Sequence, residues 1–220
     1  ELSEDLYINS FFTADLTATD KQRVLIGNAN QLLNYKENSA SFKNSLIGTQ
    51  IQYQISNNVK AVVQGKVHAN VDNDITGSID WSYLAYDFGH DLSTRIGKFQ
   101  TPFLKGMELR NISYSRLWAR PLIPSSGAGG FNEFIGIEFL KRISKGSSHW
   151  DFQLSLGKPK HDLKDVDSKN IKSISVHYQQ NNTSVRGSLL HAEYTVYDTS
   201  GELLTNSGEA LISSIIFNAN

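Results

Sequence analysis

The 220 residues carry 21 Lys and Arg against 22 Asp and Glu, a net charge of -1 that points neither to a nucleic-acid partner nor to an acidic solvating tail. Apolar residues make up 39%, below the ~45–50% usual for a soluble globular chain, and cysteine is absent, which excludes a disulfide scaffold, a cysteine-ligated metal and a thiol nucleophile. No apolar run approaches ~18 residues, which excludes a transmembrane helix and leaves a soluble all-β protein or an outer-membrane barrel, whose strands need apolar residues only at alternate positions.

The chain opens on Glu1-Leu2-Ser3-Glu4-Asp5, acidic and polar, without the features of a signal peptide. A weak strand pattern over 6–17 is followed by a long polar connection over 20–40. Ile47, Thr49, Ile51, Tyr53 and Ile55 then alternate with Gly48, Gln50, Gln52 and Gln54. Ser56-Asn57-Asn58 is a tight-turn signal. The clearest segment follows. Val59, Ala61, Val63, Gly65, Val67, Ala69 and Val71 share one face, and Lys60, Val62, Gln64, Lys66, His68 and Asn70 share the other. A helix would mix these sets; a strand separates them. Ile79, Trp81, Tyr83 and Ala85 are expected on the next apolar face, before a turn at Gly89-His90-Asp91 and a strand through Leu92, Thr94 and Ile96.

Residues 100–130 read as one long loop. They hold three of the four prolines, Pro102, Pro121 and Pro124, which cannot donate to a central ladder. A helical turn is expected over 113–119. The loop is the most basic stretch, with Lys105, Arg110, Arg116 and Arg120 against Glu108 alone. Weak strand patterns cover 131–143, 183–197 and 208–217. Clear alternation returns at Trp150, Phe152, Leu154 and Leu156 and at Ile174, Val176 and Tyr178. A polar connection over 158–169 and a tight turn at Asn181-Asn182 separate these segments. Altogether about ten strands of roughly 9–13 residues are expected, with short turns on one side and long loops on the other, the outer-membrane pattern.

Three groups of residues resemble the porin-like outer-membrane proteins of Gram-negative proteobacteria, related to the phosphate-selective porins. They are Asp80-Trp81-Ser82-Tyr83-Leu84-Ala85-Tyr86, then Leu92-Ser93-Thr94-Arg95-Ile96-Gly97-Lys98-Phe99 with Pro102-Phe103, then Ser113-Tyr114 and Leu117-Trp118-Ala119-Arg120-Pro121. The resemblance covers about a fifth of the chain at motif level. It implies two strands followed by a loop that folds into the pore. It also implies an antiparallel transmembrane β-barrel over residues 1–220 as a single domain, in the outer membrane, with the lipid bilayer and small hydrophilic solutes or anions as partners and a homotrimer as its assembly. General porins of that kind have more strands than 220 residues supply, so the chain is either truncated or a shorter relative of about ten to twelve strands.

In that frame Arg95, Lys105, Arg110, Arg116 and Arg120 are candidates for the pore constriction, and Lys60, Gln64, Lys66 and His68 for its wall. Rings of Arg and Lys select anions. The plainer account is that these cations are solvated, with Asp80, Glu138 and Asp151 balancing them. Tyr53, Trp81, Tyr83, Trp150, Phe152 and Tyr178 are expected to face lipid, those near strand ends forming girdles.

The six histidines show no H-x-x-x-H or H-E-x-x-H spacing, so no catalytic or metal site and no cofactor is expected. Asp162, Asp165 and Asp167 form a mixed-charge loop with Lys158, Lys160, Lys164 and Lys169, which speaks for a solvated loop over a calcium site. The expected function is a porin for passive diffusion. The alternatives are a soluble β-barrel or sandwich that binds a ligand, and a non-conducting outer-membrane barrel acting in adhesion or assembly. Detergent dependence separates the soluble alternative, and bilayer conductance the non-conducting one.

Overall fold

The computed structural model describes residues 5–14, 16–21, 23–26, 32–35, 38–42, 45–69, 75–101, 133–160, 166–197 and 203–219. All regular structure among them is β. The strands are β1 (Leu6–Thr13), β2 (Thr17–Thr19), β3 (Arg23–Ile26), β4 (Leu32–Tyr35), β5 (Ser39–Ser41), β6 (Leu46–Ser56) and β7 (Val59–Ala69). They continue with β8 (Ile75–Gly89), β9 (Leu92–Gln100), β10 (Glu133–Lys145), β11 (Ser148–Lys160), β12 (Val166–Gln180), β13 (Thr183–Tyr197) and β14 (Leu203–Ala219). Ten of them form one antiparallel sheet in the order β1-β6-β7-β8-β9-β10-β11-β12-β13-β14. Among the described residues no pairing joins β14 to β1, so the ladder is open at both ends.

By its internal contacts the chain divides into two compact units. The first takes the chain to Tyr53 with Val62–Ser82; the second takes Gln54–Ala61 and the described residues from Tyr83 onward. The polar connection expected over 20–40 also contains structure: β2 pairs with β5 and β3 with β4. Its run Val24-Leu25-Ile26 is apolar enough to form a strand, which the polar average of the segment concealed.

The tight turns form where expected, and backbone geometry explains them. His90 and Asp91 both take positive φ, 53° and 58°, the two-residue turn whose twist matches the flanking strands. The Gly89 amide donates to the Asp87 carboxylate at 2.8 Å and fixes the approach to that turn. Gly146 and Asn181 take positive φ at the β10–β11 and β12–β13 hairpins.

Registers across β9 to β13 define rows of side chains on two faces. One face presents Ile96–Ile137–Leu156, then Phe139–Leu154–Ile174–Leu189, then Ile143–Trp150–Tyr178–Val185. The other presents Gly97–Gly136–Gly157, then Arg95–Glu138–Ser155–Ser173, then Arg142–Asp151–His177–Arg186. Burial runs opposite to a soluble sheet. Phe139 is 39% and Leu154 41% exposed, while Glu138 is 0% exposed. The first unit repeats the inversion along β7, where Val63 is 43% and Gln64 2% exposed. Below, the buried polar side is the inner face and the exposed apolar side the outer face.

Within β8 the alternation expected over 79–85 fails after Asp80. Asp80 is buried, yet so is Ala85, while Leu84, Tyr86 and Phe88 are exposed. Tyr83, expected among the lipid-facing aromatics, instead packs on the buried Phe99 with ring centres 5.3 Å apart. Polar and apolar residues are mixed over this stretch, so pattern alone does not mark where the alternation slips.

Candidate functional site

The inner face of the second unit is a largely polar field, with Leu140 and Leu190 set among its polar rows and apolar packing at one end. At the end of β9 and β10 that leads toward residues 102–132, Phe99 and Phe134 are buried with ring centres 5.3 Å apart. Beside them Gly136 and Gly157 face each other across β10 and β11. A Cβ on Gly136 would sit 2.0 Å from the Leu156 carbonyl oxygen, so only glycine permits this strand approach.

Next comes the Glu138 row. Its carboxylate is ion-paired with Arg95 and accepts hydrogen bonds from Ser155 Oγ at 3.0 Å and Gln153 Nε2 at 3.1 Å. Thr94 Oγ1 donates to the Glu138 carbonyl at 2.9 Å. The Arg95 guanidinium lies 5.2 Å from the Tyr83 ring centre and 5.4 Å from that of Phe99, within cation–π range of both. A buried carboxylate needs this density of donors, because an unsatisfied buried charge costs several kcal/mol.

Toward the tight turns the field becomes more charged. Arg142 donates to Asp151 through Nε at 2.6 Å and Nη2 at 3.1 Å, a two-pronged pair, and His177 Nδ1 lies 3.6 Å from the same carboxylate. Arg186 Nη2 donates to Ser175 Oγ at 3.0 Å and reaches Gln153 Oε1 at 3.5 Å. Gln153 thus links the Glu138 and Arg186 groups through its two amide ends. Arg142, Asp151, Gln153, Ser175 and Arg186 line a cavity of about 360 Å³, with Asp87 and Asp91 from the β8–β9 hairpin on its wall. The hydroxyls of Ser173 and Ser188 are buried on this face with no protein partner among the described residues.

In the first unit the inner face repeats the theme on a smaller scale. Gln64 Nε2 donates to Asp80 at 3.2 Å, and Lys66 forms an ion pair with Asp80 at 2.7 Å. Of the wall candidates, Gln64 and Lys66 therefore converge on one carboxylate, and Gln64 is packed away from solvent. Lys60 and His68 are half-buried. Of the constriction candidates, Arg95 stands on the inner face joined to Glu138; Lys105, Arg110, Arg116, Arg120 and the expected helical turn lie outside the described residues. Asp80 holds Lys66 and Glu138 holds Arg95, whereas Asp151 holds Arg142, which was not among the candidate cations. Sequence reasoning gave Gln153, Ser155, Ser175, Arg142 and Arg186 no role. Their one signal was a polar residue at the alternate position of an apolar strand, as Glu138 stands between Ile137 and Phe139.

Aromatic residues of the outer face gather near tight turns. Trp150 lies 4.5 Å from Tyr178 and 6.5 Å from Phe152 between ring centres, and Tyr86 lies 4.7 Å from Phe88. Lys141 shares this face, but its ammonium donates to the His90 carbonyl at the β8–β9 turn. The charge is thereby drawn to the end of the sheet while the methylenes cover apolar surface. Among the described residues no group of three or more His, Cys, Asp or Glu is placed to hold a metal. Compared with known proteins, the chain matches no family model and no curated protein.

Proposed function

We propose that this chain is an outer-membrane β-barrel that passes small hydrophilic solutes or ions by diffusion, in keeping with its resemblance to porin-like proteins. One observation carries the reading: the sheet is apolar on its exposed face and polar on its buried face. Each large apolar side chain left in water forgoes ~1.5–3 kcal/mol of burial. Ile135, Phe139, Ile143, Trp150, Phe152, Leu154, Leu156, Ile174 and Leu189 are all exposed, and lipid would remove that cost. The band has a fitting height. The outer face of β10 stays largely apolar from Ile135 to Ile143, and at ~3.4 Å per residue and ~40° tilt it rises about 21 Å, close to the ~25 Å of a membrane barrel. In a closed barrel every strand edge is paired, so none is left in hydrocarbon.

Passage uses the inner face. The 360 Å³ cavity between Arg142, Asp151, Arg186 and the Asp87–Asp91 hairpin is the aqueous mouth at the tight-turn end. Arg95 is neutralised by Glu138 and Lys66 by Asp80, so these two add little to an anion preference, and Lys105, Arg110, Arg116 and Arg120 remain the constriction candidates. A second reading, a barrel that does not conduct, is favoured by the packing of Gln64, Glu138, Ser155, Ser173 and Ser175 with almost no exposure.

Addition of detergent-folded protein to a planar bilayer under a salt gradient separates the two. Discrete conductance steps support the pore. Insertion without steps supports the non-conducting barrel. A chain that folds to a monomer in plain buffer refutes both.

A further inference from the structure

The outer face ends differently at its two ends. Near the tight turns it carries Trp150, Tyr178, Tyr86 and Phe88. At the opposite end, three strands close their apolar runs on lysine: Ile96 is followed by Lys98 on β9, Leu156 by Lys158 on β11, and Ile174 is preceded by Lys172 on β12, each two residues along and so on the same face. Register brings them together. Lys98 and Lys158 flank Ile135 from either side, and Lys172 stands beside Leu156. Lys160 lies two residues beyond Lys158, opposite Glu133. At ~4.8 Å between strands and ~6.8 Å between alternate residues, the four lysine Cα atoms fall within roughly 16 Å. Acids share this face among the described residues: Glu133 holds Lys98 at 2.7 Å, Glu193 accepts from Asn170 at 3.0 Å, and register sets Glu209 opposite Glu193, on the side away from Lys158 and Lys160. Lys158, Lys160 and Lys172 are exposed.

From this placement we infer that Lys158, Lys160 and Lys172, with Lys98 beside them, form a docking surface for the phosphate-bearing headgroups of anionic lipid. The inference rests on the membrane reading above and adds the lipid class and the leaflet, the one at the long-connection end. The patch is continuous with the apolar band, so a lipid whose chains lie along Ile135, Leu156 and Ile174 brings its headgroup level with the ammonium groups. A zwitterionic headgroup carries its own cation and gains little there. A net-negative phosphate gains a Lys attraction of the size found near membrane surfaces.

The test uses the full chain folded into phosphatidylcholine vesicles doped with a trace of spin-labelled lipid. The motionally restricted fraction of the label is compared for phosphatidic acid and phosphatidylcholine. Wild type should favour phosphatidic acid about fivefold, the equivalent of one such attraction. The triple substitution K158Q/K160Q/K172Q should bring the ratio to parity, and K145Q, at the tight-turn end, should leave it unchanged. Equal association of both lipids with wild type, or a preference that survives the triple substitution, overturns the inference while the membrane reading stands. Absence of any restricted lipid signal around wild type overturns the membrane reading and the inference with it.

Discussion

The two faces of β9 to β13 are built from the same strands by opposite rules. On the outer face the middle rows are built of apolar side chains, Phe139 beside Leu154 beside Ile174, and polar pairs stand toward one end, Lys98 with Glu133 and Asn170 with Glu193. On the inner face the rows are held by directed bonds, and Glu138 alone gathers Arg95, Gln153 and Ser155. Removal of one outer residue thins a surface; removal of one inner residue strands the others. On the proposed reading, lipid supplies the apolar surroundings that such an outer face calls for.

The largest effect is expected inside. Glu138→Ala leaves the Arg95 guanidinium against Tyr83 and Phe99 without its carboxylate and should cost about 3 kcal/mol, the low end for breaking a buried pair because Arg95 keeps some access to solvent. Urea unfolding in vesicles measures it. The double substitution Arg95→Leu with Glu138→Leu should cost clearly less than Glu138→Ala alone. A loss below ~1 kcal/mol for Glu138→Ala would mean that water reaches the pair as it reaches surface pairs, and would sharpen the case for an open passage.

Outside, Leu154→Arg places a charge in the middle of the apolar rows. In lipid it should cost roughly 2–4 kcal/mol, whereas at an exposed site in water it would cost almost nothing. A lower urea midpoint in vesicles checks this. Gly136→Ala should cost about 1–3 kcal/mol by forcing β10 and β11 apart, seen as a lower melting temperature of the β circular-dichroism signal. The smallest effect is a gain. His90→Asn with Asp91→Gly suits positive φ at both turn positions and should raise stability by about 0.5–1 kcal/mol in the same urea assay.

Much of this was legible in the sequence because period-two alternation is a local property. The separation of Val63 from Gln64 follows from neighbouring residues alone, and β13 spans the residues read from its pattern. Other features were hidden because they are not local. Arg95 meets Glu138 across 43 positions, by a register that depends on how residues 101–132 are spanned. Gln153 and Arg186 belong to one network only because the β11, β12 and β13 registers bring them near. The slip within β8 was missed because Tyr83 fits either face until Arg95 and Phe99 are known to lie beside it.

The central claim is that the exposed apolar face meets lipid. The direct measurement is a nitroxide scan along β11, from position 151 to 157, on protein folded in vesicles, with collision rates taken for oxygen and for a water-soluble nickel chelate. The account predicts a period of two, with labels at Phe152, Leu154 and Leu156 relaxed by oxygen and shielded from nickel, and labels at Asp151, Gln153 and Ser155 shielded from oxygen. Nickel access at Phe152, Leu154 and Leu156 equal to that of a label in solution would contradict it.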